Sequence, residues 1–362
     1  MDISIVPGRT KWLALTAIGA SGLLSTINAS AVVTVLPLIQ QELGTDIVTI
    51  GLTLTIYQLI AASLMLAFGR LGDLRGQRRI FLTGFAVFLA GCALCGLAPT
   101  VITLIAARAV QALGAAMLFS NSIAILVGAF GTAERGRAIG AVSVFTYSGL
   151  TAGPPLAGFI TDSVGWRGIF ALSFALGLLC FAICWRALPT EHEPHARGRF
   201  DLTGTVLLTA TVSTLLITLQ EATSWGLTSP LTLGGVATSV VLAGAFTAAE
   251  RRIASPILDL RLFRSRSFSA ATVASIANYV SVAAIYVLMP FYLIHGRGMS
   301  ATSTGLVMAV QPIAQVVASP LAGALSDRVG TRIPRTAGMV VLVLASVALA
   351  PLGGGSPLEL IV

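Results

Sequence analysis

The sequence predicts an all-α integral membrane protein, on three observations. Hydrophobic residues make up 56% of the 362 and charged residues only 10%, with a mean hydropathy of +0.91; soluble domains carry about 25% charged residues. The apolar residues gather into uninterrupted runs long enough to cross a hydrocarbon layer of about 30 Å, which takes roughly 20 helical residues and excludes strands. Basic residues concentrate in every second loop between those runs.

The runs place eleven spans, at 12–37, 47–68, 80–98, 101–127, 138–160, 167–186, 202–221, 230–249, 269–293, 302–324 and 336–351. The first follows Arg9 and Lys11 and contains Ala29-Ser30-Ala31, which resembles a signal-peptide cleavage site. Its apolar run continues through Val35 and Leu36, so it reads as a retained helix. With this count, all 22 Lys and Arg except Arg108, Arg167 and Arg297 fall on one side of the membrane. A miscounted helix would scramble that alternation, so the split supports both the count and a cytoplasmic N-terminus. The net charge of +8 therefore reflects membrane orientation, and nucleic acid is not an expected partner.

Other chemistries leave little trace. Cys92, Cys95, Cys180 and Cys184 sit in apolar helices and read as small buried hydrophobes rather than metal ligands or disulfides. The loop EHEPH (191–195) has metal-ligand residue types, but its proline and polar surroundings fit a solvated linker. A P-loop needs a lysine in a glycine-rich frame, and the sole lysine, Lys11, lacks that context. Neither an enzyme nor a cofactor is expected.

Between the second and third spans lies GRLGDLRGQRR (69–79), a charged knot in an apolar chain. Gly69, Asp73, Gly76 and Arg78 recur with the same spacing as Gly323, Asp327, Gly330 and Arg332, between the tenth and eleventh spans. Two copies in equivalent cytoplasmic turns suggest two related halves in the same orientation. The echo comes eight helices later where two six-helix halves would give six, so an extra pair, 202–221 and 230–249, reads as an insertion. The expected division is a six-helix bundle over 1–186, a linker with two inserted helices over 187–250, and an incomplete second bundle over 251–362.

These motifs resemble those of the major facilitator superfamily, specifically its fourteen-helix drug:proton antiporter branch. GRLGDLRGQRR resembles the superfamily's cytoplasmic-loop signature, and LIAARAVQALGAA (104–116) its fourth-helix motif, with Arg108 and Gln111. Gly140, Gly149, Gly153, Pro154 and Gly158 reproduce the spacing of the antiporter motif on the fifth helix, and GWRGIF (165–170) the pattern after it. The resemblance implies two six-helix bundles with two extra central helices. It also implies a multi-pass plasma-membrane exporter of small amphipathic molecules, proton-coupled, working by alternating access. Uptake by a symporter of the same fold is the alternative. The chain stops at Val362 just as a twelfth span begins at Pro357, so an incomplete, non-functional fragment is a third reading. A monomer is expected.

Each motif also has a physical reading. In the loop, glycines permit a tight turn, while Asp73 can cap a neighbouring helix or pair with Arg70 or with an arginine across the interface between halves, as a latch. Arg75, Arg78 and Arg79 read as anchors to anionic lipid. On the fifth helix, Gly149, Gly153 and Gly158 allow a partner helix to approach closely, and Pro154 bends the helix. Arg108, the only basic residue deep in a span, is expected to face a wet cavity or a polar partner, with Gln111 one turn along.

The first helix departs from the family. Alignment on Leu36-Pro37 puts Asn28 where the branch carries an acid, and an asparagine cannot carry a proton. None of the 14 acids lies near the middle of a span, and Glu221 at the outer end of the seventh comes closest. Neutral or anionic substrates therefore gain weight over cations. Gln58, Asn121, Asn278, Gln311 and Gln315 are further polar groups at membrane depth and candidates for the substrate or proton pathway, and Tyr57, Tyr279 and Tyr286 are candidate aromatic walls.

Overall fold

A computed structural model describes residues 8–188, 200–253, 256–293, 297–298 and 301–349. The 191–195 loop, the side chain of Tyr286 and the twelfth span expected from Pro357 lie outside the described residues.

Eleven α-helices cover the eleven expected spans: α1 (Gly8–Leu43), α2 (Ile47–Arg75), α3 (Gln77–Gly96), α4 (Val101–Ala129), α5 (Arg135–Val164), α6 (Arg167–Ala187), α7 (Leu202–Trp225), α8 (Pro230–Glu250), α9 (Arg266–Phe291), α10 (Ala301–Val329) and α11 (Arg332–Leu349). Eight of them, all but α5, α9 and α11, are long and apolar enough to cross a membrane. Alpha-5 is rich in glycine and hydroxyl residues because it packs on other helices, α1 and α10 above all.

Polar side chains cap the starts of several helices. Asp46 caps α2 by accepting the amides of Val48 and Thr49, each at 2.9 Å, and Thr100 with Thr103 forms a capping box on α4. Ser229 caps α8, with Pro230 in the first turn where its missing N–H is not needed.

The charged knot is mostly helical, and the tight turn within it is a single residue. Gly69 and Asp73 belong to α2, and the chain reverses at Gly76 alone, whose φ of 98° is a region open to glycine. Gly330, with φ 80°, does the same between α10 and α11.

Six helices pack into one bundle, with α3 against α4 and α6, α1 against α5 and α6, and α2 against α4. Its core contains Phe81, Phe85 and Phe88 of α3, with Phe85 edge-on to both Phe81 and Phe181. Ion pairs close it at both ends. Lys11 pairs with Glu134 at one; at the other, Glu42 pairs with Arg167 and accepts Trp166 Nε1 at 2.8 Å. Alpha-7 and α8 form a hairpin that docks on α2, where Gln220 Nε2 donates to Thr55 Oγ1 at 2.9 Å. Alpha-10 packs along α5 and joins the bundle to α9 and α11.

Candidate functional site

The site is built around Arg108 of α4, which is 1% exposed. A guanidinium at membrane depth costs at least about 2.5–3.5 kcal/mol, so its surroundings must compensate. Arg108 Nε donates to the Thr53 carbonyl at 3.4 Å, and Nη1 donates to Gln111 Oε1 and, at 3.5 Å, to Asn28 Oδ1. Its guanidinium lies 4.2 Å from the ring centroid of Tyr57, a cation–π contact. Gln111 Nε2 donates to Asn28 Oδ1 at 3.1 Å and to Cys92 Sγ at 3.0 Å, and Asn28 Nδ2 donates to Ser173 Oγ at 3.0 Å. Among the described residues no carboxylate pairs with Arg108, so the network keeps a whole positive charge.

Beside this network lies a cavity of about 790 Å³. Each helix contributes one face at helical spacing: Ser30 and Thr34 from α1, Leu54 and Gln58 from α2, Tyr147, Leu150 and Pro154 from α5, Asn278 and Val282 from α9, and Gln311 and Gln315 from α10. Arg108, Tyr57 and Tyr279 complete the polar and aromatic wall, and among the described residues no carboxylate lines it. Such a chamber offers amide, hydroxyl and ring partners beneath a buried cation, which suits flat molecules that accept hydrogen bonds.

The structure sorts the sequence candidates. Arg108, Gln58, Asn278, Gln311 and Gln315 meet at this cavity. Asn28 and Gln111 do not line it. They are 1% and 0% exposed and form the layer behind Arg108, so α1 presents Ser30 rather than Asn28 to the chamber. Asn121 is also buried away from it, donating to the Phe68 carbonyl at 3.3 Å beside Gly72. Tyr147 was missed, although its spacing from Leu150 and Pro154 puts the three on one helical face.

The second copy of the repeated motif closes a seam between α5 and α10. Asp327 accepts the amides of Gly136 at 2.7 Å and Arg137 at 2.8 Å, in the first turn of α5, where orphan N–H groups favour an anion. Asp73 instead accepts from Gln77 Nε2 at 3.2 Å, within its own motif. Arg78 corrects its reading as a lipid anchor. It donates to the Leu188 carbonyl at 3.1 Å and the Trp185 carbonyl at 2.6 Å, closing the C-terminal end of α6. Arg332 is exposed at the start of α11.

The glycines of α5 serve two partners. A Cβ on Gly140 would stand 2.6 Å from the Ser319 carbonyl of α10, and Gly323 meets the Gly136 backbone in the same seam. Gly149 and Gly153 lie against Thr26 and Ser30 of α1, where any side chain would overlap the hydroxyls. Gly158 departs from its expected packing role: nothing lies within 4 Å of the position its Cβ would take.

Comparison with known proteins agrees with this architecture. The profile described as Major Facilitator Superfamily matches residues 18–362. The chain is 30% identical over 354 residues to the riboflavin transporter RibZ of Clostridioides difficile, covering 98% of this chain and 76% of that protein. It is 34% identical over 337 residues to the multidrug resistance protein Stp of Mycobacterium tuberculosis, covering 93% of this chain and 63% of that one. In fold it is similar to the proton:xylose symporter XylE, with a TM-score of 0.59 at 11% identity over 89% of this chain and 70% of XylE. With its helices, its central cavity and a profile match over almost its whole length, the chain belongs to the Major Facilitator Superfamily of transporters, as a multi-pass membrane protein.

Proposed function

We propose that this transporter belongs to the fourteen-helix drug:proton antiporter branch and exports small amphipathic molecules, neutral or anionic, across the plasma membrane by alternating access. In this reading 1–186 is the first bundle, 187–250 carries the inserted hairpin, 251–362 begins the second bundle, and the N-terminus is cytoplasmic. Substrate binds between α1, α2, α4 and α5 on one side and α9 and α10 on the other. The observation that carries the reading is the cavity itself, with Arg108 on its wall and, among the described residues, no carboxylate lining it. A buried cation without a counter-charge attracts anions and polarised carbonyl oxygens and repels lipophilic cations. Relatives named for multidrug resistance support export, and the glycine-lined α5 supports a moving helix sealed between two partners.

The experiment is transport in vesicles of defined sidedness. In everted vesicles with an acidified interior, an anionic or neutral dye should accumulate, and a protonophore should abolish the accumulation. Accumulation only in right-side-out vesicles with an acidic exterior would establish uptake instead.

A further inference from the structure

At the base of the inserted hairpin, far from the substrate cavity, two acids are buried together. Asp201, 7% exposed, precedes α7, and Glu250, 3% exposed, ends α8. They converge over Gly204, whose missing Cβ would overlap Asp201 Oδ2 and stand 2.7 Å from Glu250 Oε1. One oxygen of each is in use: Asp201 Oδ1 accepts the Gly204 amide at 2.8 Å, and Glu250 Oε1 accepts the Ile257 amide at 3.3 Å. The others, Asp201 Oδ2 and Glu250 Oε2, are buried without a hydrogen-bond partner, as is Nε of Arg70 on α2.

The groups that act on this pair come from each element around it. From α2 it is Arg70, within electrostatic reach of Glu250, and from the segment after α8 the amides of Ile257 and Leu258. Arg251 and Arg252, next along the chain, are exposed to solvent. Among the described residues Arg70 is the one arginine acting on the pair, so two ionised carboxylates would leave like charges close together in a site almost closed to water, an arrangement that proteins resolve by sharing a proton. One proton would supply the donor that the unpartnered carboxyl oxygens lack. It also leaves the pair with one negative charge opposite Arg70.

We propose that Asp201 and Glu250 form a binding site for a single exchangeable proton at the cytoplasmic base of the α7–α8 hairpin. Glu250 also holds the start of the segment leading to α9, through the Ile257 amide. Loss of the proton therefore sets α7 against α8 and loosens the link to the second part of the molecule, which makes the site a route from cytoplasmic pH to the hairpin.

The test is infrared difference spectroscopy of the purified protein in lipid nanodiscs, titrated with acid, which needs no substrate and so stands apart from the transport assay. The expected result is a protonated-carboxyl band that shifts on carbon-13 labelling of aspartate or glutamate and is absent in both Asp201→Asn and Glu250→Gln. Should either variant fail to assemble, the isotope shift in the wild-type protein decides the matter. A titration without such a band, or a band surviving in both variants, overturns the proposal. So does a band that appears only when sodium and potassium are replaced by choline, since the occupant is then a metal cation.

Discussion

Asp327 of α10 accepts the Gly136 amide of α5 at 2.7 Å, which ties the second copy of the repeated motif to a helix of the first bundle. The bond joins a side chain to a helix end rather than to an arginine, so it depends on a negative charge held at a fixed point.

Asp327→Asn keeps an acceptor but removes the charge. A carboxylate at a helix N-terminus is worth about 0.3–2 kcal/mol. The seam between α5 and α10 should therefore open more often, measured as faster labelling of a cysteine placed at Ser143 in a background without the four native cysteines. Asp73→Asn, whose contact stays within its own motif, should change that labelling little.

Arg108→Ala should abolish export while the protein still reaches the membrane. Hydrogen bonds from a charged donor contribute about 1.5–3 kcal/mol, so substrate affinity should fall roughly tenfold or more. Arg108→Lys should not restore it, because an ammonium cannot reach Thr53, Gln111 and Asn28 together in the geometry of the guanidinium. Dye binding by purified protein at matched expression checks both.

Asn28→Asp places a carboxylate against Arg108 Nη1 rather than against the substrate. The buried pair would cancel the positive charge at the cavity wall. Export of an anionic dye should fall and that of a lipophilic cation rise, with a neutral dye nearly unchanged. Equal changes for all three would show that the charge of Arg108 is not felt in the chamber.

Gly153→Val and Gly158→Val separate packing from spacing. The first forces a branched side chain into Ser30 and should destabilise the bundle by about 1–3 kcal/mol, while the second enters open space. Thermal denaturation in detergent, followed by size-exclusion chromatography, should show the first melting lower and the second close to wild type.

The helices were legible because the bilayer imposes a length that only long apolar runs satisfy. Arg108 was legible for the same reason, a lone charge standing out against such a run. Which way a side chain points is set by neighbouring helices, so nothing in the sequence places Asn28 behind Arg108 rather than on the cavity wall. Arg78 reads as a surface arginine until the end of α6 is known to lie beside it. Asp201 and Glu250 sit at helix ends, where acids are ordinary, and only the folded hairpin brings residues 49 positions apart into one buried pair.

Alpha-5 is held along its length by different owners. Near its first turn, Gly136 and Gly140 abut α10, and two turns further on, Gly149 and Gly153 abut α1. Between and beyond these grips, Tyr147, Leu150 and Pro154 face the cavity. On the proposed alternating-access reading the helix acts as a tiller: a push by α10 on the end it grips swings the part that walls the chamber about the bearing on α1. Pro154, lacking an N–H, marks where the shaft yields. On that reading, opening of the α5–α10 seam and reshaping of the chamber are one motion, so a substrate that fits only one shape of the chamber also selects the position of the seam.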